Sequence, residues 1–98
     1  MKTYVIIERK GPEYTLRRVY LNKDAAEHAF NALIDIQERF KNEVGPYNEN
    51  TSWRKWHKHQ LEVAEKYELE YEQVGYPIED RSWDVRWEFH TVDLEEEK

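Results

Sequence analysis

The pattern of hydrophobic and polar positions divides the chain into blocks, and the first two blocks predict a β-hairpin. Residues 3–9 and 14–21 are rich in Tyr, Val, Ile and Leu, which are residue types that favour strands. Between them lies the run Lys10-Gly11-Pro12-Glu13, whose glycine and proline are typical of a turn. We therefore expect two antiparallel strands joined by a short loop.

The next block, residues 23–44, has the periodicity of an amphipathic helix. Its apolar side chains recur at steps of three and four residues, which places them on one helical face. They are Ala26, Phe30, Leu33, Ile36, Phe40 and Val44. Asn22 can cap the start of this helix, and Gly45-Pro46 predicts its end.

A second helix is predicted over residues 51–74. Thr51 or Ser52 can cap its start, and Gly75 predicts its end. One stripe about 100° wide gathers most of its large apolar side chains, and we expect this stripe to be buried. The stripe contains Trp53, Trp56, Gln60, Val63, Ala64, Tyr67, Tyr71 and Val74.

The last block predicts a third strand, because apolar and polar residues alternate strictly from Trp83 to His90. The order is then β-β-α-α-β, an α+β fold with a three-stranded, mainly antiparallel sheet and a helical hairpin packed on one face. The third strand could run parallel to the first or antiparallel to the second. We expect one domain over residues 1–93 and an acidic frayed tail over 94–98.

Composition adds limits on function. The formal net charge of −6 argues against unspecific binding to nucleic acid or anionic membranes, which depends on Lys and Arg. Aromatic residues make up 14% of the chain, enough apolar area for a folded core. The chain has no cysteine, and its amino-terminal apolar run at residues 4–7 is too short for a signal peptide. We therefore expect a cytoplasmic protein that does not enter a membrane.

The predicted second helix carries its charges in an order that opposes the helix dipole. Arg54, Lys55 and Lys58 lie in its first two turns, where backbone N–H groups favour negative side chains. The acidic residues crowd its second half, namely Glu62, Glu65, Glu68, Glu70 and Glu72. Each misplaced charge costs about 0.3–1 kcal/mol near a helix end. The order therefore indicates either an oppositely charged neighbouring element, such as Glu38 and Glu43 of the first helix, or an external partner.

The acidic second half suggests one candidate interaction surface. Glu62, Glu65 and Glu72 surround Leu69 on the side away from the apolar stripe. An apolar side chain within carboxylates can anchor a protein whose surface is basic or normally binds nucleic acid. Arg54 and Lys58 would flank this surface. The simpler interpretation is that the charges only keep the helix solvated.

Two other interactions remain open. Arg54, Lys55 and Lys58 alternate with Trp53 and Trp56, as on some surfaces that bind single-stranded nucleic acid, and Arg17 could add to such a surface. A homodimer is a further possibility. It would be favoured by an exposed second sheet face, whose predicted members are Tyr14, Leu16 and Tyr20.

Catalytic and metal sites have little support in the sequence. His57 and His59 lie two residues apart, so on a helix they point in nearly opposite directions and cannot bind one ion together. Carboxylate pairs such as Glu79 and Asp80 exist, but no pattern places them in a cleft. We therefore expect a non-enzymatic protein without cofactor or metal.

Several segments resemble a loose class of small phage and bacterial proteins with β-β-α-β order. They are Met1-Lys2-Thr3-Tyr4-Val5-Ile6-Ile7, Arg18-Val19-Tyr20-Leu21, Asn22-Lys23-Asp24-Ala25-Ala26-Glu27 and Trp87-Glu88-Phe89-His90-Thr91-Val92-Asp93-Leu94. The resemblance covers about half the chain and leaves out the second helix. It implies a phage or mobile-element setting, in which small acidic proteins often act by binding host or defence proteins. It implies no reaction and no site residues.

Overall fold

The fold has the element order β-β-α-α-β in a computed structural model, which describes residues 1–47, 50, 52–78 and 85–94. The strands are β1 (Lys2–Lys10), β2 (Glu13–Tyr20) and β3 (Val85–Asp93), and the helices are α1 (Lys23–Val44) and α2 (Trp53–Gln73). All strand pairs are antiparallel within one sheet, so the predicted α+β fold is confirmed. Thr51, Glu79, Asp80, Trp83 and Asp84, which enter the predictions above, lie outside the described residues.

The position of the third strand in the sheet differs from both arrangements that we considered from the sequence. The order across the sheet is β2-β1-β3, and β3 runs antiparallel to β1, with Lys2 opposite Asp93 and Lys10 opposite Val85. Both predicted arrangements, parallel to the first strand or antiparallel to the second, are therefore wrong. About eleven residues separate α2 from β3 and can reach ~35 Å when extended, roughly the length of β3 itself or more. A connection of that length lets the chain enter the sheet from either end.

A β-bulge at Arg17 decides which side chains of β2 share a face. The partner of Ile6 on β2 is Arg18. The partner of Ile7 is Leu16, so Arg17 is an extra residue in β2. Side chains alternate between faces along a regular strand, and the extra residue shifts this alternation by one position.

The first face of the sheet contacts the amino-terminal half of α1. Opposite residues of an antiparallel pair point to the same face, so Ile6 and Phe89 lie together on it. Phe30 of α1 packs against Phe89 with ring centroids 5.5 Å apart. Ile6 is fully buried, which contributes about 2 kcal/mol relative to exposure. This face therefore holds a core.

The second face of the sheet carries the apolar side chains of β2. Tyr14, Leu16 and Val19 lie on it and are exposed by 57%, 61% and 50%. Tyr20 lies opposite Tyr4 on the first face and is half-buried. Our expectation that Tyr20 shares a face with Tyr14 and Leu16 is therefore wrong, because the bulge reverses the alternation between them.

The chain divides into two compact units, residues 1–34 with 84–98 and residues 35–83, and the division falls within α1. Buried apolar side chains of the first unit are Val5, Ile6, Ala26, Leu33, Val85 and Trp87. Those of the second unit are Ile36, Phe40, Val44, Val63, Ala64, Tyr67, Tyr71 and Tyr76. Each unit thus has its own apolar core, and the single domain over residues 1–93 stays a prediction. Within the first unit Leu94 donates its N–H to the Met1 carbonyl at 2.7 Å, while residues 95–98 of the predicted tail lie outside the described residues.

Helix α2 ends in a Schellman motif built around Gly75. Gly75 has φ 84° and donates its N–H to the Glu72 carbonyl at 3.0 Å, and Tyr76 donates to the Tyr71 carbonyl at 2.9 Å. Tyr71 and Tyr76 are both buried, as the hydrophobic contact of this motif requires. Val74 is the C-cap and is 39% exposed, so its predicted place in the buried stripe is wrong. The helical periodicity on which that prediction depended stops one residue earlier, at Gln73.

Candidate interaction surface on the second helix

Ser52 fixes the start of α2. Its side-chain oxygen accepts a hydrogen bond from the Lys55 N–H at 3.3 Å, and its carbonyl accepts the first bonds of the helix from Lys55 and Trp56. No acidic residue lies in the first turn and no basic residue in the last, so the reversed charge order predicted from the sequence is present in the folded helix.

Glu43 of α1 is the centre of the contacts that fix α2 against the second half of α1. The Tyr67 hydroxyl donates to Glu43 Oε2 at 2.5 Å, and Lys66 Nζ lies 3.3 Å from the same oxygen. The ring of Phe40 packs edge-on against the ring of Tyr67, with the ring centroids 5.4 Å apart. Glu43 therefore contacts residues in the middle of α2, and not the basic residues at its start that we considered as its partners.

These contacts change the pKa values of Tyr67 and Glu43. Burial, and then the hydrogen bond to Glu43, raise the pKa of Tyr67 from 10.0 to about 12. The Tyr67 hydroxyl, opposed by burial and helped by Lys66, holds the pKa of Glu43 below its usual value. The pair is thus most stable as a neutral phenol that donates to a carboxylate.

Arg39 of α1 compensates part of the acidic charge on α2. Its Nη1 lies 2.9 Å from Glu70 Oε1, and its Nε donates to Asp35 at 2.9 Å. These bonds, led by the one to Glu70, raise the pKa of Arg39. With 44% of its side chain exposed, Arg39 gains at most about 1 kcal/mol from such pairs. One of the misplaced carboxylates on α2 is therefore compensated by α1.

The acidic face, which we define as Glu62, Glu65, Leu69 and Glu72, lies on the outside of α2. All four residues are exposed, and Leu69 is 60% exposed. Their spacing of three, four and three residues sets them in one row along the helix. Lys66, the cation nearest to this row in sequence, is engaged by Glu43. The row thus presents an apolar side chain between carboxylates, as the sequence predicts.

The basic start of α2 has a different surface from the one we predicted. Trp53 is 58% exposed and stacks on His57, with ring centroids 4.7 Å apart and planes within 8°. Its predicted place in the buried stripe is wrong, because the direction of a helical face does not tell how far the neighbouring element extends along it. Arg54 and Lys58 are also exposed. We call Trp53, Arg54, His57 and Lys58 the aromatic-basic end.

Trp56 and His59 both form contacts with the end of α1 and the residues that follow it. The Trp56 indole N–H donates to the Gly45 carbonyl at 3.4 Å. The Trp56 and Tyr47 rings pack edge to face, with their centroids 5.8 Å apart. His59 Nε2 lies 3.3 Å from the Glu43 carbonyl oxygen. His57 and His59 thus have separate partners. Among the described residues, no group of three or more His, Asp or Glu side chains could hold a metal ion.

Arg17, which we considered as part of a nucleic-acid surface, lies in β2 and is engaged there. Its guanidinium contacts Glu8 Oε1 at 2.6 Å and lies over the Trp87 ring at 5.6 Å. In the described part of the chain, neither helix has an apolar stretch long enough to cross a membrane.

Comparisons with protein-family models, curated proteins and solved structures found no match to this chain. Its function is therefore argued from its own surfaces.

Proposed function

We propose that this protein is a non-enzymatic interaction protein that binds a larger macromolecule through the acidic face of α2 and thereby modulates or inhibits it. The observation that carries this proposal is the exposure of Leu69 between Glu62, Glu65 and Glu72. A partner could bury the leucine and pair the carboxylates with its own Lys or Arg. Arg54 and Lys58 flank the acidic face along the helix. The partner is accordingly a protein with a basic or nucleic-acid-binding surface.

The charge order of α2 supports an external role for this surface. Carboxylates near a helix C-terminus oppose the dipole by about 0.3–1 kcal/mol each. Arg39 compensates Glu70, and Glu72, the member of the acidic face in the last turn of α2, is exposed. A partner that brings positive charge would relieve this cost on binding. The resemblance to small phage and bacterial proteins suggests a cytoplasmic host or defence protein as that partner.

The test compares two double variants in a pull-down from bacterial lysate treated with nuclease. In the first variant, Glu65→Lys and Leu69→Ala change the acidic face. In the control, Glu27→Lys and Leu21→Ala make the same chemical changes at exposed positions away from α2. We expect a protein that is retained by the wild type and the control at moderate salt and lost by the first variant. The captured protein, once purified, should bind the first variant at least about tenfold more weakly.

Melting temperatures of the three proteins separate loss of binding from loss of folding. Since all four substituted residues are exposed, the melting temperatures should agree within a few degrees, with the control lowered slightly because Glu27→Lys replaces the exposed ion pair with Lys23 by a like-charge pair. If the first variant captures the same proteins as the wild type, the acidic face is not the binding surface.

A second candidate function, binding of single-stranded nucleic acid, is favoured by the aromatic-basic end. The exposed Trp53 ring can stack on a base, while Arg54 and Lys58 lie within the first two helical turns of α2 and can contact phosphates. Lys55 of the same turn is exposed as well. The net charge of −6 disfavours this function overall, so it depends on this local surface.

Titration with a single-stranded oligothymidine tests the second candidate. Binding should quench tryptophan fluorescence and weaken as salt rises, with a slope in the logarithmic plot of about −0.7 for each phosphate contacted. Trp53→Leu should remove most of the quenching, and Arg54→Glu with Lys58→Glu should abolish binding. The matched control is Lys41→Glu with Lys23→Glu, which places the same charges on α1. No binding at low salt would exclude this function.

A further inference from the structure

Strand β2 is an edge strand whose exposed side chains are unusual for their position. It lies at the end of the sheet order β2-β1-β3. In most antiparallel sheets the apolar side chains of a strand point to the core and the charged ones to solvent. In β2 the half-buried Arg17 bonds Glu8 on the first face, while Tyr14 and Leu16 point to the second face and are exposed. The side chains that β2 exposes on the second face are therefore apolar, and Arg9 of β1 lies over the Tyr14 ring at 4.9 Å.

Edges of this kind are usually protected against pairing with another strand. Common protections are charged side chains, especially Lys, or Pro within the strand, a charged side chain that points inward, a very short strand, or a bulge. Residues 13–20 contain neither Lys nor Pro, and β2 is eight residues long. The bulge and the inward-pointing charge are both at Arg17, and they leave the segment Glu13–Leu16 regular. This segment has backbone groups on its outer edge that a further strand could pair with.

We propose that two copies of this protein pair through their β2 strands, antiparallel and about a two-fold axis at Thr15. In this register Tyr14 lies opposite Leu16 of the second copy and Thr15 opposite its own equivalent, both within the regular segment. Glu13 lies beside the bulge residue Arg17 of the second copy, which keeps its contact with Glu8. An aromatic side chain opposite an aliphatic one and two opposed threonines are favourable cross-strand pairs, and Glu13 adds an opposite charge near Arg17. Each unlike pair occurs twice because of the symmetry. The dimer then has one continuous six-stranded sheet.

Pairing about an axis at Leu16 or at Arg17 does not give these favourable side-chain pairs. An axis at Leu16 places Glu13 opposite Val19 and Tyr14 opposite Arg18, which leaves the charges unpaired and mixes the two faces. An axis at Arg17 places two like charges opposite each other. The register at Thr15 keeps Tyr14 with Leu16 on the second face and Glu13 with Arg17 on the first.

The strand that pairs with the edge of β2 belongs to a second copy of this protein, because the segment around Thr15 is complementary to itself. Read in reverse, the regular run Tyr14-Thr15-Leu16 places apolar against apolar around a central threonine, and the acidic Glu13 falls beside the basic Arg17 of the second copy. Thr15, at the centre, is exposed. Because the paired segment is short, the interface lies below the size of stable dimers, and we expect a dissociation constant between about 10 μM and about 1 mM.

Sedimentation velocity over a range of concentrations, with charge-swap variants, tests this dimer. Tyr14→Glu and Leu16→Lys, made singly, should each weaken dimerisation by about tenfold, since each replaces two apolar pairs. Combined, they place a carboxylate opposite an ammonium group across the axis, and dimerisation should return to within about threefold of wild type. Val19→Lys is the control, because Val19 is exposed on the same face but lies outside the paired segment.

The outcomes decide between distinct explanations. A monomer at every concentration up to about 1 mM overturns the proposal. If Val19→Lys weakens dimerisation as much as Leu16→Lys, the two copies stack face to face and the edge pairing is wrong. Failure of the double variant to restore the dimer overturns the register at Thr15. Melting curves confirm that the exposed substitutions leave the fold intact.

Discussion

At the scale of single residues, the hydrogen bond between Tyr67 and Glu43 predicts a measurable alkaline transition. The pKa of Tyr67 in the fold is about 12, above its ordinary value of 10.0. The unfolded chain therefore loses this proton first as the pH rises, and the stability contributed by the neutral phenol disappears between pH 10.0 and about 12. Below pH 10.0 the contribution is complete.

The near-ultraviolet absorbance of tyrosinate measures this transition. We expect Glu43→Gln to lower the pKa of Tyr67, because the carboxylate that disfavours a nearby phenolate is gone. Tyr67→Phe should remove the late-titrating component entirely. Tyr14→Phe, at an exposed tyrosine, should leave that component in place. A wild-type titration without a component above the ordinary tyrosine range would contradict this assignment.

Single residues also show where the sequence pattern is insufficient. Trp53 and Tyr67 belong to the same predicted stripe, yet Tyr67 is 4% exposed and Trp53 is 58% exposed. Periodicity identifies the direction in which a side chain points, but burial also needs an element opposite it. Phe40 and Glu43 of α1 lie against Tyr67, whereas Trp53 stacks only on a ring of its own helix among the contacts described above.

At the scale of elements, Gly75 determines how α2 ends. Its φ of 84° is in the left-handed region, which costs an L-residue about 1–2 kcal/mol. We expect Gly75→Ala to lower the free energy of unfolding by about 1 kcal/mol, measured by urea denaturation. Gly75→Asn should cost less, since asparagine tolerates this conformation better. Equal stability of Gly75→Ala and the wild type would show that the turn has another conformation in solution.

The elements differ in how completely the sequence predicts them. The capping residue Ser52, the terminating glycines and the helical periodicity of α1 and α2 are local signals, and the structure confirms them. The bulge in β2 has no such signal, because Arg17 and Arg18 carry no turn chemistry. As a result, the members of the second face were predicted correctly before the bulge, at Tyr14 and Leu16, and incorrectly after it, at Tyr20.

At the scale of the whole molecule, the class of fold follows from the order of the elements, and the sheet order does not. A long connection before β3 is compatible with several arrangements, so the sequence could not determine which strand β3 joins. The acidic face was predictable because it depends only on helical spacing and charge. The contacts of Arg39 and Glu43 that compensate α2 depend on how two helices pack, which the pattern of one helix does not contain.

The central position of β1 has a consequence for the order in which the molecule is made. β1 and β2 are adjacent in sequence and can pair as soon as both have left the ribosome, whereas β3 is synthesised only after both helices. Until then the second edge of β1 lacks its native neighbour, although Val5 and Ile6 belong to the core. Pairing between distant segments is slow, and strand edges exposed during synthesis favour aggregation. We therefore expect the nascent chain to be most prone to aggregation while β3 is still missing.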